Sequence, residues 1–168
     1  MEVWDLYDEN KVKTNKTCIR GEEIPDDYYH LVVHVWIKNN KGEYLISQRS
    51  ESRTSYPLLW ECVGGSVVKD EDSLQGALRE TKEEVGIDLD KNKGKIVYSE
   101  LRKTYHNKKF NDIMDVWLFN YDGEVDLNNA TTDEVCDVKW MNKDAIKALL
   151  DDKKLVPTLQ YFFDDINI

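Results

Sequence analysis

The chain has 168 residues, of which 40% are hydrophobic and 33% are charged, and its net charge at pH 7 is −10. This composition is typical of a globular protein, and the length suffices for a single domain covering residues 1–168. A field of that sign repels nucleic-acid backbones and anionic lipid, so neither is an expected partner. No apolar run reaches the length of a membrane span, and the first residues lack the pattern of a signal peptide.

The cysteines indicate a reducing compartment. Cys18, Cys62 and Cys136 are odd in number, widely spaced and without the pattern of a metal site, so reduced thiols and a cytoplasmic location are expected. The sequence leaves the oligomeric state open, with a homodimer among the alternatives.

The N-terminal part of the chain is predicted to be mostly strand. Residues 3–7 and a weaker segment ending at residue 19 predict a hairpin, and residues 29–37, YHLVVHVWI, predict a strand buried on both faces. A hairpin turn then leads into a strand at residues 43–49. His30 and His34 fall in the buried strand, where neutral, hydrogen-bonded histidines are commoner than metal ligands.

The C-terminal part alternates strands with polar loops. Strands are predicted at residues 95–102, 115–121 and 135–141, a helix at 143–150, and a last helix beginning near Pro157. Strands outnumber helices and one helix interrupts their series, which predicts an α/β fold with a mixed sheet and helices on its faces.

Between these parts, residues 64–87 spell GGSVVKDEDSLQGALRETKEEVGI, which predicts a helix. Asp72 and Gln75 have the spacing of an N-terminal capping box, and Gly86 has the place of a C-terminal cap. Small or apolar residues recur at helical spacing along one face, at Leu74, Ala77, Leu78, Thr81 and Val85.

The same helix carries a cluster of carboxylates. Glu80, Glu83 and Glu84 stand at i, i+3 and i+4, so three like charges share one side of the helix. A divalent cation held between them would remove their repulsion, and hard oxygen ligands suit Mg²⁺ or Mn²⁺, which also bind substrate phosphates. The residues alone therefore allow two interpretations, a metal and phosphate site or a solvated acidic helix face.

The spacing of the whole stretch resembles the Nudix box of the Nudix hydrolases. The box occupies residues 65–87, and its places are filled by Gly65, Glu71, Arg79, Glu80, Glu83, Glu84, Gly86 and Ile87. One place departs from the pattern, because Thr81 stands where the family has an aliphatic residue. The resemblance implies an α/β/α sandwich in which the box forms a loop-helix-loop beside a mixed sheet.

The resemblance also implies roles for the box residues. Glu80 and Glu84 are the expected metal ligands, with Glu83 sharing the metal or taking a second one. Gly64 is expected to offer its carbonyl to the metal. The two glycines allow positive φ and close backbone approach, which would let a carbonyl point at the metal.

Arg79 and Glu71 are expected to pair with each other and so to hold the ligands in place. The alternative for Glu71 is to reach a metal in some substrate-bound states. The implied reaction is metal-assisted attack of water on phosphorus in a small-molecule diphosphate, such as a nucleoside diphosphate linked to another moiety.

Two further roles are assigned by position alone. The general base is either a box glutamate or an acid from a distant loop. Asp133 and Glu134 are the first distant candidates, before Glu100, Asp112 and Asp115. Arg49, at the end of a predicted strand, either binds a substrate phosphate or forms a surface ion pair.

The sequence does not identify the substrate. Its recognition is expected from the loops at residues 50–59, 103–112 and 122–134, where Tyr56, Tyr105 and Phe110 either stack on the substrate or pack locally.

Two other functions compete with hydrolysis. The hairpin and the segment that follows it resemble the isopentenyl-diphosphate isomerases of the same superfamily, which need a catalytic cysteine and a nearby metal-binding histidine. This chain has Val63-Gly64-Gly65-Ser66-Val67 there, and Cys62 lies on the preceding strand. The third alternative is a non-catalytic nucleotide-binding module, but such modules usually lose box carboxylates and this chain keeps them. Hydrolysis is therefore favoured.

Overall fold

The computed structural model describes the chain from residue 1 to 105 and from 107 to 168. The strands and α-helices follow one another in the order β1 (Val3–Tyr7), β2 (Lys13–Ile19), β3 (His30–Lys38), β4 (Tyr44–Arg49), β5 (Trp60–Glu61), β6 (Val63–Ser66), α1 (Ser73–Val85), β7 (Gly94–Tyr105), β8 (Lys108–Asn120), β9 (Val135–Met141), α2 (Lys143–Asp151) and α3 (Tyr161–Asp164).

The central sheet is mixed, as predicted. Its strand order is β5-β4-β3-β8-β7, with β6 paired to the other end of β3 and β9 paired to β4. Strands β3 and β8 run parallel and the remaining pairs are antiparallel. Strands β1 and β2 form the predicted N-terminal hairpin, which joins β3 through the bridge between Tyr7 and Tyr29.

Strand β3 separates two apolar layers because successive side chains on a strand point to opposite faces. Leu31, Val33, Val35 and Ile37 pack with the buried face of α1. Trp36, on the opposite face, packs with residues of α2 and α3. Helices therefore cover both faces of the sheet, and α1 lies directly against β6, the strand that carries the glycine pair.

The ends of α1 have the predicted caps. Asp72 accepts from the Gln75 backbone while the Gln75 side chain accepts from the Asp72 backbone, and Gly86 ends the helix with φ 73°. Thr81 is fully buried, and its hydroxyl donates to the Ala77 carbonyl at 2.8 Å, so its polar group is satisfied inside the helix.

The glycine pair lies in extended strand. Gly64 and Gly65 lie in β6, and neither has a positive φ. Glycine is required there for space: a Cβ on Gly64 would lie 2.5 Å from the Val33 carbonyl oxygen of the neighbouring strand. Close backbone approach therefore explains the glycine at this place, and neither residue uses the positive φ that glycine also allows.

The predicted loop at residues 103–112 is also largely strand. Strands β7 and β8 continue through most of it as a hairpin, with Thr104 opposite Lys109 and an ion pair of 2.7 Å between Arg102 and Asp112. Because this end of the hairpin is rich in charged residues, its sequence has the pattern of a loop.

Two general expectations can be compared with the described residues. All three cysteines are free thiols. Within the described ranges no helix combines the length and the hydropathy needed to cross a membrane.

Candidate active site

The box carboxylates lie where the second half of α1 meets β6. A Cβ on Gly65 would lie 2.4 Å from the carboxyl carbon of Glu80, so the glycine makes room for that carboxylate. A cleft of about 180 Å³ opens here, and its charged lining consists of the carboxylates of Glu2, Glu80, Glu83 and Glu134 and the guanidinium groups of Arg20, Arg53 and Arg79.

Arg79 organises the carboxylates around it. Its Nε and Nη2 bind the two carboxylate oxygens of Glu71 at 2.8 and 3.1 Å, as the sequence predicts. Its Nη1 donates to Glu80 at 2.8 Å and to Glu83 at 3.1 Å. Arg79 thus touches two of the three candidate ligands directly, and Glu71 fixes its orientation.

Glu84 lies beneath the cleft, and no guanidinium of the described residues pairs with it. Its side chain is 4% exposed, and the hydrogen bond that it accepts comes from the Gly64 backbone N–H at 3.4 Å. Burial raises the pKa of Glu84 well above its ordinary value, and the carboxylates of Glu61, Glu80 and Glu134 raise it further. A buried carboxylate in this position needs either a proton or a cation.

The donor set fits a divalent cation of the hard type. Glu80, Glu83 and Glu84 offer carboxylate oxygens and β6 offers backbone oxygens, which are the ligands that Mg²⁺ and Mn²⁺ prefer. Within the described residues no three acidic, histidine or cysteine side chains are already arranged around one metal position. Part of the reason is that Arg79 holds Glu80 and Glu83, so binding requires these two carboxylates to turn toward Glu84.

We predict a characteristic pH dependence of stability for the metal-free protein. Burial raises the pKa of Glu80 from 4.5 to about 7, against the opposing effect of Arg79. The native state therefore holds a proton that the unfolded chain releases, so the free energy of unfolding falls as the pH rises from about 4.5 to about 7. The loss attributable to Glu80 is on the order of 2 kcal/mol.

Thermal unfolding of the wild type and Glu80→Gln between pH 4.5 and 8 checks this prediction. As the pH rises, the thermal midpoint of the variant should fall less than that of the wild type. Adding MgCl₂ at pH 8, against NaCl at matched ionic strength, should raise the wild-type midpoint. Equal declines in the two proteins would contradict the assignment.

The loop before β9 brings one of the two distant acids to the cleft. The backbone N–H groups of Thr131 and Thr132 and the Thr132 hydroxyl all donate to the Glu83 carbonyl, at 3.0, 3.2 and 3.1 Å. This contact satisfies a carbonyl in the last turn of α1, which would otherwise lack a helical partner. Glu134 follows it into the cleft, whereas the Asp133 side chain is exposed and outside the cleft lining.

Sequence reasoning named Arg49 but missed Arg53. Arg49 is bound to Glu61 at 2.5 Å and to the Ser55 carbonyl at 2.9 Å, so its guanidinium is held within the protein. Arg53 lines the cleft and pairs with Glu134 at 2.6 Å. Arg20, which directly follows β2, lines the same cleft and pairs with Glu2 at 2.8 Å. No spacing rule links these arginines to the box, because loop and hairpin geometry alone brings them there.

The other candidate acids lie apart from the cleft lining. Asp112 is paired with Arg102, and Asp115 is buried against Lys11 at 2.6 Å. Glu100 lines a different cavity, between β7 and the C-terminal segment.

His30 is buried and His34 is half-buried, and both are neutral as expected. The expected hydrogen bond is present for His34, whose Nδ1 lies 2.8 Å from the Tyr161 hydroxyl, whereas His30 Nδ1 has no hydrogen-bond partner among the described residues. Burial lowers the pKa of His30 to about 4 and that of His34 to about 3. Among the loop aromatics, Tyr56 is 42% exposed and Phe110 lies beneath Arg102, whose guanidinium carbon is 4.8 Å from the ring centre. The side chain of Tyr105 lies outside the described part of the chain.

Comparison with known proteins identifies the family. The family model described as the NUDIX domain matches residues 28–162. A Nudix hydrolase of Listeria innocua is 38% identical over 164 residues, which cover 97% of this chain and 91% of that protein. The chain therefore belongs to the Nudix hydrolase family.

Two other likenesses concern the fold and a related family. The crystal structure of a Deinococcus radiodurans protein matches with a TM-score of 0.70 at 20% identity, covering 92% of both chains, which confirms the fold. A chloroplastic isopentenyl-diphosphate Δ-isomerase of Cannabis sativa is 29% identical over 151 residues, or 82% of this chain and 52% of that protein.

Proposed function

We propose that the protein is a cytoplasmic, Mg²⁺- or Mn²⁺-dependent hydrolase that cleaves a diphosphate linkage in a small molecule, such as a nucleoside diphosphate joined to another group. The observation that carries the proposal is the buried carboxylate of Glu84, whose one hydrogen-bond partner among the described residues is a backbone N–H and which lies beside Glu80 and the glycine strand. A carboxylate buried in this way is costly without a cation, and the cleft above it also holds guanidinium groups suited to phosphate.

The residues divide the work as follows. Glu80, Glu84 and the Gly64 carbonyl would hold the cation, with Glu83 as a further ligand. When bound, the cation neutralises charge on the phosphate oxygens and lowers the pKa of a coordinated water. Glu134 accepts a proton from the attacking water. At the same time the water oxygen bonds to phosphorus and the bridging P–O bond breaks. Arg53, which lines the same cleft, orients the diphosphate.

The isomerase alternative has less support from the site. Cys62 is 3% exposed, and burial raises the pKa of its thiol well above the ordinary value, so it is not placed to deliver protons to a substrate in the cleft. A cysteine and a histidine are missing from the glycine strand, where the isomerases need them. Cys62→Ala is accordingly expected to leave catalysis unchanged.

A substrate panel tests the proposal directly. The purified protein with MgCl₂ is offered nucleoside di- and triphosphates, nucleoside diphosphate sugars, dinucleoside polyphosphates and isopentenyl diphosphate, while phosphate release and double-bond isomerisation are both followed. Metal-dependent hydrolysis of at least one diphosphate is expected. Turnover of none of them would refute the proposal, and isomerisation that depends on Cys62 would establish the alternative.

Arg53→Gln is expected to weaken substrate binding. Its side chain is 26% exposed and lines the same cleft as Glu80, so the change removes one charged hydrogen bond to the diphosphate. We expect kcat/KM to fall about 10- to 100-fold, mainly through KM. Arg49→Gln is the contrasting variant: it should lower the thermal midpoint by leaving Glu61 unpaired while KM changes little. A kcat/KM of Arg53→Gln within twofold of the wild type would contradict the role.

Glu134→Gln and Asp133→Asn form a matched pair for the general base. The two acids are neighbours in sequence, but only Glu134 lines the cleft. We expect Glu134→Gln to lower kcat about 10- to 100-fold and to remove the acidic limb of the pH–rate profile, because the variant cannot accept a proton. Asp133→Asn should behave like the wild type. Equal effects of the two changes would mean that neither side chain acts as the base.

A further inference from the structure

The N-terminal hairpin is bonded to the loop that leads into the box helix. Tyr7 in β1 exchanges backbone hydrogen bonds with Tyr29, just before β3, at 2.8 and 3.0 Å. Further back along β1, the Val3 carbonyl accepts from the Lys69 backbone N–H at 2.8 Å. The hairpin precedes residue 28, at which the match to the family model begins. A segment outside the matched domain therefore contacts the box loop directly.

Asp5 makes the side-chain contact between the hairpin and this loop. It is 6% exposed, and its carboxylate accepts from the Asp70 backbone N–H at 2.8 Å and from the Lys13 ammonium at 2.6 Å. Burial by itself raises the pKa of Asp5, but the hydrogen bonds from Lys13 and Asp70 outweigh it and hold the pKa below its ordinary value. Asp5 is therefore ionised at neutral pH and forms a charge-assisted hydrogen bond to the box loop.

Asp70 needs support of this kind because its backbone is left-handed. Its φ is 69°, and it is the third residue of a turn over residues 68–71, closed by a bond of 3.1 Å from the Glu71 N–H to the Val68 carbonyl. Positive φ at this place of a turn favours glycine and is strained for other residues. The Asp70 side chain is 77% exposed, so its own packing offsets little of the strain. The bond from Asp5 thus stabilises the turn from outside.

The turn in turn places the group that orients Arg79. Glu71, its last residue, binds Nε and Nη2 of Arg79 at 2.8 and 3.1 Å. Arg79 then donates to Glu80 and Glu83 at 2.8 and 3.1 Å. A change in the backbone of residue 70 would redirect the Glu71 carboxylate and with it the guanidinium. Bonds therefore lead without a gap from the hairpin to two of the candidate cation ligands.

We infer that Asp5 is a positioning residue for the cation site, because it holds the turn at residues 68–71 and so sets the orientation of the Glu71–Arg79 pair. The inference rests on the proposed function, since it adds a support to the same site. Asp5 itself touches neither the cation nor the substrate. The hairpin is accordingly part of the apparatus that prepares the carboxylates to bind the cation.

Substitutions at both ends of the contact test the inference through Mn²⁺ binding, measured by the EPR signal of the free ion. We expect Asp5→Ala to lower Mn²⁺ affinity about 10-fold. Asp5→Asn keeps an oxygen that accepts from Asp70 and should bind Mn²⁺ nearly as the wild type does. Asp70→Gly in the Asp5→Ala background should restore most of the affinity, because glycine adopts the left-handed conformation without support.

Lys13→Met is the matched control, since it removes the other partner of Asp5 and leaves the bond to Asp70. It should lower the thermal midpoint with little change of Mn²⁺ affinity. Equal losses of affinity in Lys13→Met and Asp5→Ala would overturn the inference, since Asp5 would then act through the stability of the hairpin alone. Failure of Asp70→Gly to restore any affinity would also overturn it.

A measurement on the metal-free protein separates this inference from the proposed hydrolysis. NMR follows the Nε–H resonance of Arg79 and the exchange rate of the residue 70 amide in the full chain. Asp5→Ala should shift the Arg79 resonance and speed the exchange about 10-fold or more, whereas Lys13→Met should do neither. These changes are expected even if the wild type hydrolyses no diphosphate. An unshifted Arg79 resonance in folded Asp5→Ala would reject the positioning role and leave the hydrolase proposal intact.

Discussion

Glu84→Gln is expected to lower kcat about 1000-fold and, in the metal-free protein at pH 8, to raise the thermal midpoint by about 2–8 °C. The loss follows from removing a cation ligand. The gain follows from replacing a buried, poorly compensated carboxylate by a neutral group of the same shape, whose amide oxygen still accepts from the Gly64 N–H at the observed 3.4 Å. Opposite effects on activity and stability are typical of residues kept for function.

Calorimetry and steady-state kinetics on the same preparations measure both effects. MgCl₂ should raise the midpoint of the wild type more than that of the variant, because only the wild type retains the full ligand set. Glu51→Gln serves as the control for a change of net charge alone. Unchanged kcat would remove Glu84 from the set of ligands, and an unchanged midpoint would show that its burial carries no cost.

Gly65→Ala is expected to lower kcat about 100-fold with a loss of stability below about 1 kcal/mol. The added Cβ would lie 2.4–2.6 Å from the carboxyl group of Glu80. That group is the end of a flexible side chain, so it can swing away at low cost to the fold, but it then leaves the position in which it serves the cation. Measurements of kcat and of urea unfolding distinguish these two consequences.

Gly64→Ala provides the comparison one residue earlier. Its Cβ would lie 2.5 Å from the Val33 carbonyl oxygen, which is backbone and cannot turn aside, so β6 and β3 must separate. We expect a loss of about 2–4 kcal/mol of unfolding free energy. If the two variants lost stability equally, the distinction between a displaced side chain and a displaced strand would be wrong.

Much of the fold was predictable because its signals are local. The caps of α1 depend on Asp72, Gln75 and Gly86, which interact within one helix, and β9 was predicted with its observed bounds because its apolar alternation is strong. The Arg79–Glu71 pair was predicted from the family pattern and is present in the structure.

The unpredicted parts of the site depend on contacts between distant segments. Arg53 reaches the cleft because its loop folds back on Glu134, and no pattern near residue 53 indicates this. The sequence could not decide which property of Gly64 matters, because a glycine required for space and a glycine required for positive φ look the same in sequence. The roles of the candidate ligands stay predictions, since their carboxylates are held by Arg79 and a backbone N–H.

The threonine contacts at the end of α1 have a consequence for how this enzyme tolerates changes in chain length. Residues 122–128 are mostly exposed and precede the point where Thr131 and Thr132 bind the Glu83 carbonyl. Insertions or circular-permutation breaks at Gly123 should therefore be absorbed before they reach the site. The same insertion between Thr132 and Glu134 would shift Glu134, the proposed proton acceptor, out of register with α1. The length of the chain therefore matters most between Thr132 and Glu134, and engineering of substrate range can use the exposed residues around Gly123.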